Sequence, residues 1–188
     1  MSRIFLTADT HFCHDREFVY KPRGFNSIYE MNEAIVKNWN SVVNWDDEVY
    51  LLGDCMLNNN YEGIKLLNRL AGKIYILRGN HDTNTRIQEY VNIRPTILYI
   101  GLAQLLNYDG YTFYLSHYPT FTSNLENGAP LKKHVINLYG HTHQKTNFYN
   151  EIPFMYHVGL DSHNCFPVLI DDVITDIKEE IKKCKEQL

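Results

Sequence analysis

The sequence has no Cys-x-x-Cys pair, no long uninterrupted apolar run and no basic stripe, and each absence removes a class of function. Its four cysteines, Cys13, Cys55, Cys165 and Cys184, stand singly. Their number permits disulfides, but a chain of 188 residues with no export signal points to reduced thiols and a cytoplasmic location. The longest apolar runs, such as Ile97 to Leu106, are interrupted and too short to cross a bilayer. Met1-Ser2-Arg3 leads straight into a strand-like run, without the apolar stretch of a signal peptide. A formal net charge of -4 gives no electrostatic reason to grip a long polyanion. Internal repeats, low-complexity segments and linker-like stretches are also missing. What is present is an ordinary 44% hydrophobic content with a 13% aromatic fraction, which argues against disorder. The length fits a single domain over residues 1–188 with a sizeable core.

The first half alternates strand and helix. Arg3 to Ala8 reads as a buried strand that ends at Asp9-Thr10-His11. After the turn at Lys21-Pro22-Arg23-Gly24, Ser27 can cap a helix whose apolar stripe runs through Met31, Ile35, Val36 and Trp39. Glu48 to Leu52 is a second strand closed by Gly53-Asp54. Tyr61 to Leu70 is an amphipathic helix ended by Gly72, and Lys73 to Leu77 is a third strand, followed at once by Arg78-Gly79-Asn80-His81-Asp82. The second half is mostly strands. Residues 103–108 and 111–115 flank Asp109-Gly110, a two-residue hairpin signal. Val135 to Tyr139 runs into Gly140-His141-Thr142-His143, and late strands are expected at 154–158 and 166–169. A helix closes the chain over 171–185. Packed sheets with helices outside are the architecture this order implies.

Chemistry gathers at the strand ends. Five of them carry side chains that bind metals, and in three a glycine comes directly before the polar residue: Gly53-Asp54, Gly79-Asn80 and Gly140-His141. Glycine there permits a tight turn and a close approach of backbone to a ligand. Asp9 with His11, and His141 with His143, are two apart, so on extended backbone each pair projects to one side. If the strand ends share one edge, as in open α/β sheets, these groups converge. Carboxylate oxygen and imidazole nitrogen without thiolate suit Mn²⁺, Fe, Zn²⁺ or Ni²⁺. The seven candidate ligands Asp9, His11, Asp54, Asn80, His117, His141 and His143 exceed what one tetrahedral ion needs. They match two ions about 3.5–4 Å apart that share a carboxylate.

The set Asp9-Thr10-His11, Gly53-Asp54, Gly79-Asn80-His81-Asp82, His117 and Gly140-His141-Thr142-His143 resembles the calcineurin-like metallophosphoesterases in order and strand-end context. It looks closest to their compact bacterial and phage-type branch. Asp9 to His14 resembles the branch's opening motif, with Cys13 where glycine is usual, and Val158-Gly159-Leu160-Asp161 with Pro167 resembles its closing segment. The resemblance implies an α/β fold of four layers, αββα, with two packed mixed β-sheets flanked by helices. It implies one metal on Asp9, His11, Asp54 and His143, and another on Asp54, Asn80, His117 and His141, with Asp54 bridging. A metal-bridging hydroxide would attack phosphorus while His81 protonates the leaving oxygen. Two divalent ions, Mn²⁺ first among them, are the implied cofactors. A small phosphodiester or phosphomonoester, with a nucleotide as one form, is the implied substrate; diesters are favoured.

One departure bears on the acid. Protein Ser/Thr phosphatases orient the acid histidine with an aspartate further along the second motif, and Leu57 stands in its place here. Asp82, Asn58, Asn59 and Asn60 are the candidates to orient His81. That departure disfavours a protein phosphatase. Two further alternatives are a nuclease acting on short nucleic acid ends and a metal-binding interaction module without turnover. The acidic balance counts against the first, and the complete ligand set against the second. Among other residues, His14 and Arg78 are candidate phosphate contacts, each balanced by a structural role. Lys21 and Arg23 are candidates to guard the entrance, or are simply solvated. Asp161 either holds a ligand histidine or caps a turn. His134, His157 and His163 are not expected as ligands. The loops at 12–26 and 118–134 are expected to shape the pocket.

Overall fold

A computed structural model describes residues 2–122 and 130–186. Part of the 118–134 loop therefore lies outside the described residues. Short apolar strands flanked by helices build the first sheet. β1 (Ile4–Thr7), β2 (Glu48–Leu51), β3 (Lys73–Ile76) and β4 (Ile97–Tyr99) are parallel, and β10 (Val168–Leu169) adds antiparallel to β1, giving the order β10-β1-β2-β3-β4. The crossovers carry α1 (Glu17–Tyr20) and α2 (Ile28–Val42), then α3 (Asn60–Asn68), then α4 (Asn84–Val91). The second sheet has the order β5-β6-β7-β9-β8, from β5 (Ala103–Tyr108), β6 (Tyr111–Ser116), β7 (Val135–Tyr139), β8 (Phe148–Tyr149) and β9 (Ile152–His157). It mixes parallel pairs at β6–β7 and β7–β9 with antiparallel pairs at its two edges. Two mixed sheets flanked by helices result, as the resemblance implies.

The period-2 alternation of side chains divides the core in two. Phe5, Val49, Leu51, Ile74 and Ile76 point to the helices, where Met31, Ile35 and Trp39 of α2 are fully buried against them. Each such large side chain contributes about 1.5–3 kcal/mol of burial. Leu6, Leu52 and Leu77 point instead to the second sheet and meet Phe113, Leu115, Ile136, Leu138 and Tyr156. α5 (Ile170–Glu186) packs Ile170, Val173, Ile174 and Ile177 into this second core. Ser27 caps α2 as its sequence suggests, accepting a bond from Glu30 N at 3.1 Å. At the β5–β6 hairpin Asp109 and Gly110 both have positive φ, 46° and 76°, as the Asp-Gly signal requires.

Several elements differ from the sequence reading. α4 is not anticipated, because its eight residues carry only Ile87 and Tyr90 as buried anchors. Its local signal is Thr83, whose hydroxyl accepts from Arg86 N at 3.3 Å. α1, β4 and β8 are four, three and two residues long, too short for any periodicity to register. The late strand expected over 166–169 shrinks to Val168–Leu169. Among the described residues no helix is long and apolar enough to cross a membrane.

Candidate metal centre

The candidate ligands leave the sheets at their carboxyl ends: Asp9 and His11 after β1, Asp54 after β2, Asn80 after β3, His117 after β6, and His141 and His143 after β7. Sheet-edge convergence, expected from the motifs, is what the topology delivers. The backbone does it differently from the extended geometry anticipated. Asp9, His11, Asp54, His141 and His143 all adopt left-handed conformations, with φ of 60°, 47°, 56°, 68° and 50°. For non-glycine residues this region costs roughly 1–2 kcal/mol each, and such strain concentrates at functional sites. These five candidate ligands therefore sit on tight turns at the sheet edge, while Asn80 and His117 are not among the positive-φ residues.

Two groups of donors result. His11 Nε2 and His143 Nε2 face each other at 3.2 Å. His143 Nδ1 donates to Asp161 Oδ2 at 2.8 Å, so its Nε2 presents a lone pair to the centre. On the other side His117 Nδ1 donates to Leu52 O at 2.8 Å, which leaves Nε2 as the acceptor nitrogen. Asn80 Oδ1 lies 2.9 Å from that Nε2 and 2.9 Å from His141 Nδ1. Asp54 Oδ2 stands between the groups, 3.7 Å from His11 Nε2 and 3.5 Å from His117 Nε2. Donors of Asp9, His11 and His143, and of Asp9, Asp54 and His117, lie within 4.8 Å of one another. Asp9 Oδ1 is buried without a hydrogen-bond partner. Burial pushes the Asp9 carboxyl up to about 6, with His117 and His143 pulling the other way. Burial, and then Arg23, hold His11 well below its ordinary value, so the ring is neutral. An orphaned buried carboxylate oxygen and opposed imidazole lone pairs are what a cation would satisfy, so these residues fit divalent metal.

The surroundings hold these ligands in place. Arg23 is buried beneath the site rather than at its entrance. Its Nε and Nη2 bind Asp161 at 3.1 and 2.7 Å, and Nη2 also donates to Asp9 O at 2.8 Å. Asp161 thus holds His143, one of the candidate ligands. Burial opposes its charge, but the His143 and Arg23 hydrogen bonds keep its carboxyl far below the usual range. Asp82 does not meet the His81 ring. Its carboxylate accepts from Asp54 N at 2.7 Å, Cys55 N at 3.2 Å, Gly79 N at 2.9 Å and Tyr90 Oη at 2.9 Å. Asp82, one of the four candidates to orient His81, thus ties the second and third motif loops together. Asn59 caps α3, and Asn60 bonds Glu89 and Arg86. The nearest carboxylate to the His81 ring is that of Asp54, with Nε2–Oδ2 at 3.9 Å.

His14 does reach the site, with its Nδ1 3.3 Å from His11 Nδ1 and its ring centroid 6.0 Å from that of His81. Arg78 donates from Nη1 to Asn84 Oδ1 at 2.8 Å, which links it to α4, and it is not among the residues lining the cavity with His11 and His81. Lys21 pairs with Glu17 in solvent at 2.7 Å. His163 Nε2 bonds His157 O, and His157 Nδ1 bonds Ser162 Oγ.

The glycine before His141 has a strict steric reason. A Cβ at Gly140 would overlap Ala8 Cβ and lie 2.6 Å from Asp9 Oδ2. Gly140→Ala is therefore expected to displace Asp9 and to lower metal-dependent turnover at least tenfold, measured at saturating metal. Turnover within twofold of the parent would show that the Asp9 position is dispensable.

A carboxyl-edge cluster of aspartate, asparagine and histidine on two packed sheets is the donor set of a candidate divalent-metal centre. Comparison narrows that class. Residues 2–159 match the calcineurin-like phosphoesterase superfamily domain, and the chain belongs to that superfamily of metal-dependent phosphoesterases. An uncharacterised protein of Methanocaldococcus jannaschii is 32% identical over 189 residues, covering 95% of this chain and 93% of that protein. Among solved structures, a protein of unknown function from Aquifex aeolicus matches with a TM-score of 0.68 at 18% identity, over 93% of this chain and 99% of that one. A phosphoesterase from E. coli matches with a TM-score of 0.50 at 18% identity, over 84% and 78%. These two likenesses are of fold.

Proposed function

We propose that this phosphoesterase works with two divalent ions and prefers phosphodiesters. The position of Asp54 Oδ2, between His11 Nε2 and His117 Nε2, carries the reading, because one carboxylate shared by two donor groups suits a pair of ions. Asp9, His11, Asp54 and His143 would hold the first ion, and Asp54, Asn80, His117 and His141 the second. Bound there, the ions supply Lewis acidity and an activated water near neutral pH. In hydrolysis a water oxygen bonds to phosphorus, the ester P–O bond breaks, and the leaving oxygen takes a proton. His81 is the residue to deliver that proton. Its backbone N–H is anchored on Asp54 Oδ1 at 2.8 Å, and its ring is partly open to solvent at the cavity. Asp82 supports this as a positioning residue, by fixing the Asp54 and Gly79 backbones.

The diester preference has a charge argument. Among the described residues, no lysine or arginine lines the cavity of about 400 Å³ that contains His11, His81 and His143. A second phosphate charge, or a polyphosphate, would find no lysine or arginine among those lining residues. Manganese is the ion we favour for a site of carboxylate, amide and imidazole donors. A cytoplasmic location fits the four free thiols of Cys13, Cys55, Cys165 and Cys184.

The test is to strip the protein of metal and restore Mn²⁺, Ni²⁺, Zn²⁺ or Mg²⁺ singly. Hydrolysis of bis-p-nitrophenyl phosphate and p-nitrophenyl phosphate is then followed. Restored turnover favouring the diester is expected. A monoester preference would overturn the diester reading, and an absence of bound metal would overturn the metal reading altogether.

A further inference from the structure

The cavity has two unlike walls. One is the ligand edge, with Asp54, Asn80 and the histidines. The other is the apolar face of α1 and the turn after it, formed by Phe18, Val19 and Pro22. α1 is short, and it splits its side chains. Val19 and Tyr20 are buried and anchor it, while Phe18 is left 71% exposed. A phenylalanine so open to water contributes little to folding. Its ring meets His14 edge-on, with centroids 5.6 Å apart and planes at 89°, and His14 in turn adjoins His11 and His81. The exposed ring therefore borders the place where the ester must lie, in a cavity without lysine or arginine among its described lining.

Resting on the phosphoesterase reading above, we propose that Phe18, with Val19 and Pro22, forms a subsite for the organic group of the substrate, and that this group is planar and aromatic. The metal-binding edge takes the phosphoryl oxygens. The apolar wall takes the flat face of the attached group, by edge or offset stacking on Phe18. Specificity then resides in the organic group rather than in further phosphates.

Binding separates this subsite from catalysis. Phenylphosphonate and methylphosphonate carry the same anionic head and differ only in the organic group. Calorimetric titration of the manganese-loaded full chain should show phenylphosphonate binding about five- to tenfold tighter. In Phe18→Ala the ratio should fall toward one, and Phe18→Trp should restore it. Because Phe18 is largely exposed, neither change disturbs the core, which a melting curve checks. A ratio unmoved by Phe18→Ala, with both ligands still binding, overturns the subsite and leaves the phosphoesterase reading standing. Binding of neither ligand removes that reading, and the subsite with it.

Discussion

Asp54→Asn should leave a folded protein that holds at most one ion per chain and loses diester turnover by at least about a thousandfold. Asparagine keeps the shape of the side chain and an Oδ1 acceptor for His81 N, now at 2.8 Å. What it removes is the charge at Oδ2, the atom that faces both His11 and His117. Losing a shared anionic ligand weakens both ions at once, so the effect on rate exceeds that of a single-sided ligand. The metal-free proteins should behave in the opposite sense. Asp54 raises the Asp9 carboxyl through like-charge repulsion, second to burial and to the opposing pull of histidines. Neutralising it relieves that repulsion, so the metal-free variant should melt no lower than its parent. Metal content after dialysis, turnover with Mn²⁺ and a metal-free melting curve together separate a lost ligand from a lost fold. Two ions and parental turnover in the variant would sink the shared-carboxylate reading.

The candidate ligand set was legible in the sequence because every member is a polar residue within a few positions of the end of a recognisable strand. The three glycines before Asp54, Asn80 and His141 marked where chains crowd, and a Cβ at Gly79 would indeed collide with the Asp54 side chain and backbone. The core was legible for a similar reason: the Met31, Ile35 and Trp39 stripe has the spacing only a buried helix face requires. The supporting shell was not. Arg23 lies in a Pro- and Gly-flanked turn that reads as solvent-exposed, and only the tertiary fold brings it to Asp161, 138 positions away. Asp82 follows His81 directly, which makes it look like that ring's partner. Its side chain points instead beneath the loops, toward four donors that come from three different segments. The left-handed backbone at the ligands was equally hidden, since aspartate and histidine do not advertise positive φ as glycine does.

Arg23→Met is expected to destabilise the protein by about 3–5 kcal/mol, the usual consequence of leaving one partner of a buried ion pair alone. The side chains of Arg23 and Asp161 are 1% and 4% exposed, and the guanidinium makes a forked contact that methionine cannot copy. After the substitution Asp161 retains His143 Nδ1 and a distant Lys145 Nζ at 3.8 Å, too little to solvate a buried carboxylate. The bond to Asp9 O, 2.8 Å long, is lost as well, which loosens the first ligand turn. Adding Asp161→Asn to Arg23→Met removes the stranded charge and should recover a large part of the stability. It should not recover activity, because an amide in place of the Asp161 carboxylate lacks the charge that holds His143 in its ligand orientation. Urea unfolding of the metal-free single and double variants, set beside turnover of the metal-loaded proteins, reads the two effects separately. A single variant within about 1 kcal/mol of the parent would show that the pair is not what ties the α1–α2 turn to the closing segment. A double variant with parental turnover would show that His143 needs no carboxylate behind it.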